Sequence, residues 1–87
     1  MIILKRRTRY EIYLDVLDAV RRKGAITITR ISYSAQLPVD RTKRIVNFLV
    51  SKGLLREENI GNRKLYRLTE RGGAFLKALK TVRKFIR

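Results

Sequence analysis

The sequence predicts a mainly α domain with a small β-hairpin, followed by a C-terminal amphipathic helix. Three observations carry that class. Apolar residues recur at helical spacing in three stretches before Gly53, each bounded by a capping residue, a proline or a glycine. One later stretch, Leu55 to Leu68, has strand character and is centred on Gly61 and Asn62, residues that tolerate turn geometry. The last stretch places Phe75, Leu79, Val82 and Ile86 at four-three-four spacing, with no acid after Glu70. The chain thereby divides into a basic arm (1–8), a helical domain with its hairpin (9–68) and a terminal helix (69–87).

Helix one starts at about Arg9, because Thr8 and Glu11 make a T-x-x-E capping box. Its inner face is Ile12, Tyr13, Val16, Leu17 and Val20, and Gly24 ends it after Arg21, Arg22 and Lys23. Cations in a last turn complement the helix dipole, which accounts for that triplet without a ligand; a phosphate contact is the alternative. Upstream, Ile2, Ile3 and Leu4 precede Lys5, Arg6 and Arg7. This is either a frayed terminus or a basic arm along phosphates, its aliphatic residues packed on a neighbouring element or subunit.

Thr29 to Gly53 reads as helix, turn, helix. Ala25 to Ile28 is β-branched and apolar, consistent with a short strand or with the lead into helix two, capped by Thr27 or Thr29. Helix two is about two turns long, with Ile31 and Ala35 facing inward. Tyr33 points away from them, either to meet a phosphate or to lie half-buried against helix three. Leu37 follows in a turn that Pro38 closes, and the preset φ of proline starts helix three there. Helix three, Pro38 to Lys52, turns Val39, Thr42, Ile45, Val46, Leu49 and Val50 inward. Asp40, Lys43, Arg44, Asn47 and Ser51 lie opposite, with Arg41 beside them. A short helix propping a longer one with a basic, amide-bearing outer face is what reading a major groove requires.

The hairpin that follows carries Arg63 and Lys64 at its tip. Behind a helix-turn-helix such a hairpin is a wing, its basic tip placed for the minor groove or its phosphates, or else simply solvated. Glu57 and Glu58 restrict any approach to a polyanion to the tip. Thr69 caps the last helix, which would reach about 27 Å if it ran to the end of the sequence. That exceeds the body its first turns can cover. Burying two Leu-sized groups at its far end would stabilise by roughly 3–6 kcal/mol, which favours a second copy packed along Phe75, Leu79, Val82 and Ile86. Folding back on the domain and lying on a membrane surface are the alternatives.

Charge and composition bound the function. The 87 residues hold 22 Lys and Arg against 7 Asp and Glu, a formal charge of +15, which repels itself unless a polyanion neutralises it. Nucleic acid is the first partner this implies. No run approaches the roughly 18 apolar residues of a spanning helix, so a membrane is not expected as partner, and the chain reads as cytoplasmic and nucleoid-associated. Without Cys or His, disulfides, thiolate and imidazole chemistry and the usual zinc sites are excluded. The acids form no recognisable pair, so neither an enzyme, a metal site nor a cofactor is expected.

The segments RYEIYLDVLDAV, TRISYSAQL, RTKRIVNFLVSKGLL and KLYRLTERGGAFL resemble the archaeal winged helix-turn-helix DNA-binding proteins of the small crenarchaeal chromatin-associated type, over about Arg9 to Leu76. The G-L-L at Gly53 to Leu55 and the Y-x-L-T-x-x-G at Tyr66 to Gly72 are shared with many winged-helix regulators. Pro38 stands where that group tends to carry Ser, and the last helix is shorter than the group's. The resemblance implies a winged helix followed by a long helix that pairs antiparallel with its dimer mate. It further implies a homodimer on double-stranded DNA, as a transcription regulator or as a non-specific architectural chromatin protein.

On that footing each copy is expected to lay helix 38–52 in a major groove. Arg41, Lys43 and Arg44 suit guanine and Asn47 suits adenine; Asp40 can accept from cytosine or hold Arg44 in place. Arg63 and Lys64 form the wing contact, and Lys5, Arg6, Arg7, Arg30, Tyr33 and Gln36 the backbone contacts. The main competing reading is an RNA or ribonucleoprotein module on the same fold. Against it, most of the four Tyr and three Phe are expected on inner faces. Phe48 is the exception, flanking the outer face of helix three or packing on the last helix. A protein-interaction domain is the third reading.

Overall fold

The computed structural model describes residues 7–86. In order they form α1 (Arg9–Lys23), α2 (Ile28–Ala35), α3 (Val39–Ser51), β1 (Leu55–Ile60), β2 (Arg63–Leu68) and α4 (Glu70–Ile86). The expected class holds: four helices and one antiparallel hairpin. None of these helices is long and apolar enough to cross a membrane.

Helix α1 is the axis of the core. The capping box starts it as expected, with the Thr8 backbone N–H donating to Glu11 Oε1 (2.9 Å) and the Glu11 N–H to Thr8 Oγ1 (3.1 Å). Ile12, Val16, Leu17 and Val20 are buried, and so are Leu14 and Ala19, which lie outside the predicted inner face. The reason is tertiary: α2, β2 and α4 all pack on α1, so its apolar arc is wider than a helix with one covered side would need. Ala25 to Ile28 combines both expected readings. Ile26 exchanges two backbone hydrogen bonds with Tyr66 (3.1 and 2.8 Å), and Thr27 caps α2 by accepting from the Arg30 N–H. Thr29 does not cap it.

Helix α3 begins one residue later than expected. Pro38 is extended (φ −60°, ψ 147°) and occupies the capping position without a side-chain hydrogen bond. The Thr42 hydroxyl donates to the Pro38 carbonyl (2.9 Å) instead, which satisfies this buried hydroxyl. Val39, expected inside, is 41 % exposed because it falls in the first turn, ahead of the stretch that α2 and β1 cover. Thr42, Val46 and Leu49 are buried and Ile45 and Val50 partly so.

The hairpin pairs Leu55 with Leu68 through Ile60 with Arg63. Its loop is two residues, and Gly61 at the first position takes φ 59°, whereas Asn62 does not adopt a positive φ. The Y-x-L-T-x-x-G segment then joins the wing to α4. Thr69 Oγ1 donates to the Gly53 carbonyl (2.6 Å) and accepts from the Gly72 N–H (2.9 Å). A Cβ on Gly72 would lie 1.9 Å from the Leu54 carbonyl oxygen, so only glycine permits this approach of α4 to the backbone just before β1. Leu76 and Leu79 follow into the core.

Candidate nucleic-acid interface

The α2–α3 turn sets where α3 points, and three anchors hold it. Gln36 takes the left-handed conformation (φ 56°). The buried Ser32 hydroxyl donates to the Leu37 carbonyl (2.7 Å), and Leu37 is itself buried. From outside, the Arg7 guanidinium donates to the Ala35 and Gln36 carbonyls (2.7 and 3.1 Å) and pairs with Asp15 (2.8 Å). Arg7 was expected on the DNA backbone; three of its five N–H donors are engaged within the domain, where it straps the end of α2 to α1. No local pattern announces this, because the partners lie eight to twenty-nine residues away. Lys5 and Arg6 lie outside the described residues.

With α3 so held, Asp40, Arg41, Lys43, Arg44 and Asn47 are all exposed. Among the described residues Arg41, Lys43 and Arg44 have no acidic partner, and no ion pair joins Asp40 to Arg44 despite their favourable spacing. Arg30 and Gln36 are also exposed, and Tyr33 is 89 % exposed, which removes the half-buried reading. Tyr33 and Gln36 line a shallow groove with Ser32, Leu37 and Pro38.

Several cations elsewhere are paired. Asp18 receives Arg21 and Arg22 from its own helix and Lys80 from α4 (3.0, 3.4 and 3.2 Å). Partial burial pushes the Asp18 carboxyl up, but Lys80 and Arg21 outweigh it and hold the carboxyl below its ordinary range. In the wing, Glu58 pairs with Arg67 and Arg56, and the Arg67 hydrogen bond chiefly lowers the Glu58 pKa. Glu57 lies 3.8 Å from Lys64 and accepts from the Tyr66 hydroxyl, whose pKa rises through burial and that carboxylate. Of the two expected tip residues, Arg63 therefore stands without an acid among the described residues and Lys64 shares one.

The aromatic side chains depart from expectation. Tyr10, Tyr33, Phe48 and Phe85 are exposed, four of the seven, one on each of the four helices, on sides that no other element fully covers. Phe48 packs on α1 rather than the last helix: it stacks on Tyr13 (5.5 Å, 20°), Tyr10 meets Tyr13 edge-on, and the Lys52 ammonium lies 5.6 Å from the Phe48 ring centre. On α4, Leu79 is buried in the chain's own core and Phe75 packs against it, so these two of the expected dimer residues face inward. Val82 and Ile86 are 53 % and 75 % exposed, joined by Phe85 at 84 %, which the seven-residue pattern had passed over.

The model of the winged helix-turn-helix family matches residues 6–87. This chain belongs to that family. Among solved structures, Sso10a-2, a DNA-binding protein from Sulfolobus solfataricus, superposes with a TM-score of 0.84 at 26 % identity, covering 91 % of this chain and 81 % of that one. That match agrees with the archaeal resemblance of the sequence. A mutant MarR from E. coli complexed with operator DNA gives a TM-score of 0.72 at 24 % identity over 79 % of this chain, and BpsR from Bordetella bronchiseptica 0.80 at 20 % over 86 %. These two share the winged fold, and the chain spans only about half of each, 51 % and 56 %. Among curated protein sequences, none matches.

Proposed function

We propose that this chain binds double-stranded DNA as a homodimer and regulates transcription, each copy presenting α3 to a major groove. The observation that carries the reading is the exposed outer face of α3, where Arg41, Lys43 and Arg44 stand beside Asn47 and pair with no acid among the described residues, Asp40 of the same face included, while Asp15, Asp18, Glu57 and Glu58 are spent on other cations. Three cations and an amide on one exposed helix face match the donor pattern of guanine and adenine readers. Arg30, Tyr33 and Gln36 flank this face as backbone contacts and Arg63 extends it through the wing. Sso10a-2 is a DNA-binding protein on this fold, and the MarR–operator complex is a second case of the fold with DNA; both support the reading. The dimer rests on Val82, Phe85 and Ile86, each of which gains about 1.5–3 kcal/mol on burial. A nucleoid-associated protein of the cytoplasm is the setting that follows.

The test is a salt titration of binding to random duplex and to the DNA upstream of the protein's own gene, with stoichiometry recorded. A gap of about a thousandfold or more, at two chains per site, is the result for a specific regulator. Equal affinities with a steep salt slope would make the protein architectural and α3 a backbone binder. The Tyr10–Tyr13–Phe48 row favours a second reading, RNA or single strands, because stacked rings beside cations suit unpaired bases. Preference for single strands over duplex in competition would establish it instead.

A further inference from the structure

We propose that the groove between the start of α1 and the first half of α3 is a phosphate-binding site built by Arg9, Arg41 and Arg44. These three line one groove of about 280 Å³ together with Arg7, Ile12, Tyr13 and Ile45. Arg7 is neutralised there by Asp15, but among the described residues the other three have no acidic partner. Three guanidinium groups from two helices thus face one recess, its floor formed by buried Ile12 and half-buried Tyr13 and Ile45. A low-dielectric floor strengthens their mutual repulsion and would equally strengthen their attraction for an anion. Arginine suits this role because its planar fork offers paired donors to phosphate oxygens. Asp40, the nearest acid in sequence to Arg41, pairs with neither Arg41 nor Arg44 and leaves the site to an outside anion.

Arg41 and Arg44 belong to the proposed DNA-reading helix, whereas Arg9 lies on another element, so the site tests a larger footprint than α3 alone. The phosphate has two sources, the DNA backbone or a free phosphate compound. In the latter case the ligand would draw two arginines away from DNA and regulate binding. The source, but not the site, rests on the DNA reading above.

The experiment compares the full chain with Arg9→Gln, Arg41→Gln and the control Lys23→Gln, which alters a cation at the far end of α1. Pyrophosphate binding is measured by calorimetry, and duplex binding by its salt slope, with Arg30→Gln and Lys43→Gln as references for DNA contacts outside the groove. The expected result is one pyrophosphate per chain, weakened about tenfold by Arg9→Gln and by Arg41→Gln but not by Lys23→Gln. In the same proteins Arg9→Gln lowers the DNA salt slope by about one. Pyrophosphate binding that needs Arg9, with an unchanged DNA slope, assigns the groove to a free phosphate compound. A lowered slope without pyrophosphate binding assigns it to the DNA backbone alone. If Arg9→Gln changes neither while Arg30→Gln lowers the slope, the site is overturned and the DNA reading stands. If all the variants leave duplex binding unmoved, the DNA reading itself falls, and pyrophosphate binding alone decides the groove.

Discussion

Helices α3 and α4 are both basic and amphipathic and both leave cations exposed, but α4 also ends in a cluster of uncovered apolar side chains. Helix α3 buries Thr42, Val46 and Leu49 in the core and leaves arginine and lysine bare. Helix α4 gives Leu76 and Leu79 to the same core, pairs Lys80 with Asp18, and ends with Val82, Phe85 and Ile86 uncovered. What each helix still lacks differs accordingly. Bare cations call for a polyanion, whereas bare aliphatic and aromatic side chains call for an apolar surface. Net charge alone would have assigned both helices to the same partner.

The largest effect should come where α4 meets the wing. Gly72→Ala sets a Cβ against the Leu54 carbonyl, a backbone atom that cannot swing aside, so a loss of about 3 kcal/mol is expected. For a domain of this size that lowers the melting temperature by roughly 12–24 °C in a circular-dichroism melt. An unchanged melt would mean that α4 is not docked as described, and the contrast between the helices would lose its basis.

Phe85→Glu addresses the uncovered end of α4. Phe85 is 84 % exposed within the chain, so helix content should hold while self-association weakens by about 2–3 kcal/mol per buried ring. Sedimentation equilibrium reads this directly. A wild-type chain that is monomeric at all concentrations would remove the dimer from the proposal.

Helix α3 is tested by Arg44→Gln against Arg21→Gln. The first removes an unpaired guanidinium and should cost about 1–3 kcal/mol of DNA affinity if it reads a base. Arg21 is paired to Asp18, and its replacement should leave the affinity nearly unchanged. Equal losses in a binding titration would show that only total charge matters.

The smallest effect concerns Asp18, which ties α4 to α1. Asp18→Asn should lower stability by about 1 kcal/mol or less at neutral pH. Because its folded-state pKa lies below the ordinary value near 3.9, the contribution is fully present above that unfolded value and fades as pH falls through the folded one. Urea titrations across acidic pH should therefore show a steeper acid loss in the wild type than in Asp18→Asn. Parallel curves would assign acid sensitivity elsewhere, and Lys80 would be no anchor for α4.

Local signals made most of the fold legible. The Thr8 and Glu11 box, the glycines after α1 and α3, and the Gly61–Asn62 loop each act within four residues, and each appears within a residue or two of its expected place. The candidate site was legible in part. The period of α3 was sufficient to put Lys43, Arg44 and Asn47 outside, and that of α2 to put Tyr33 away from the core. It could not show that Arg7 would be consumed by Asp15 and two carbonyls, or that Arg9 would share a groove with Arg41 and Arg44. The four-three-four pattern on α4 likewise could not distinguish a face turned to its own domain from one turned outward. Leu79 went to the first and Val82 to the second.

The sequence by itself determined where helices begin and end, which loop turns the hairpin, and that one helix bears an acid-poor basic face. Those outcomes depend on capping, on backbone freedom and on period, which are properties of neighbours in the chain. Only the tertiary structure decided which cations stay unpaired, which half of α4 is covered, and why Gly72 must be glycine. Those depend on distances between elements far apart in sequence, where a carboxylate at position 18 meets a lysine at position 80 and a helix closes on the Leu54 carbonyl.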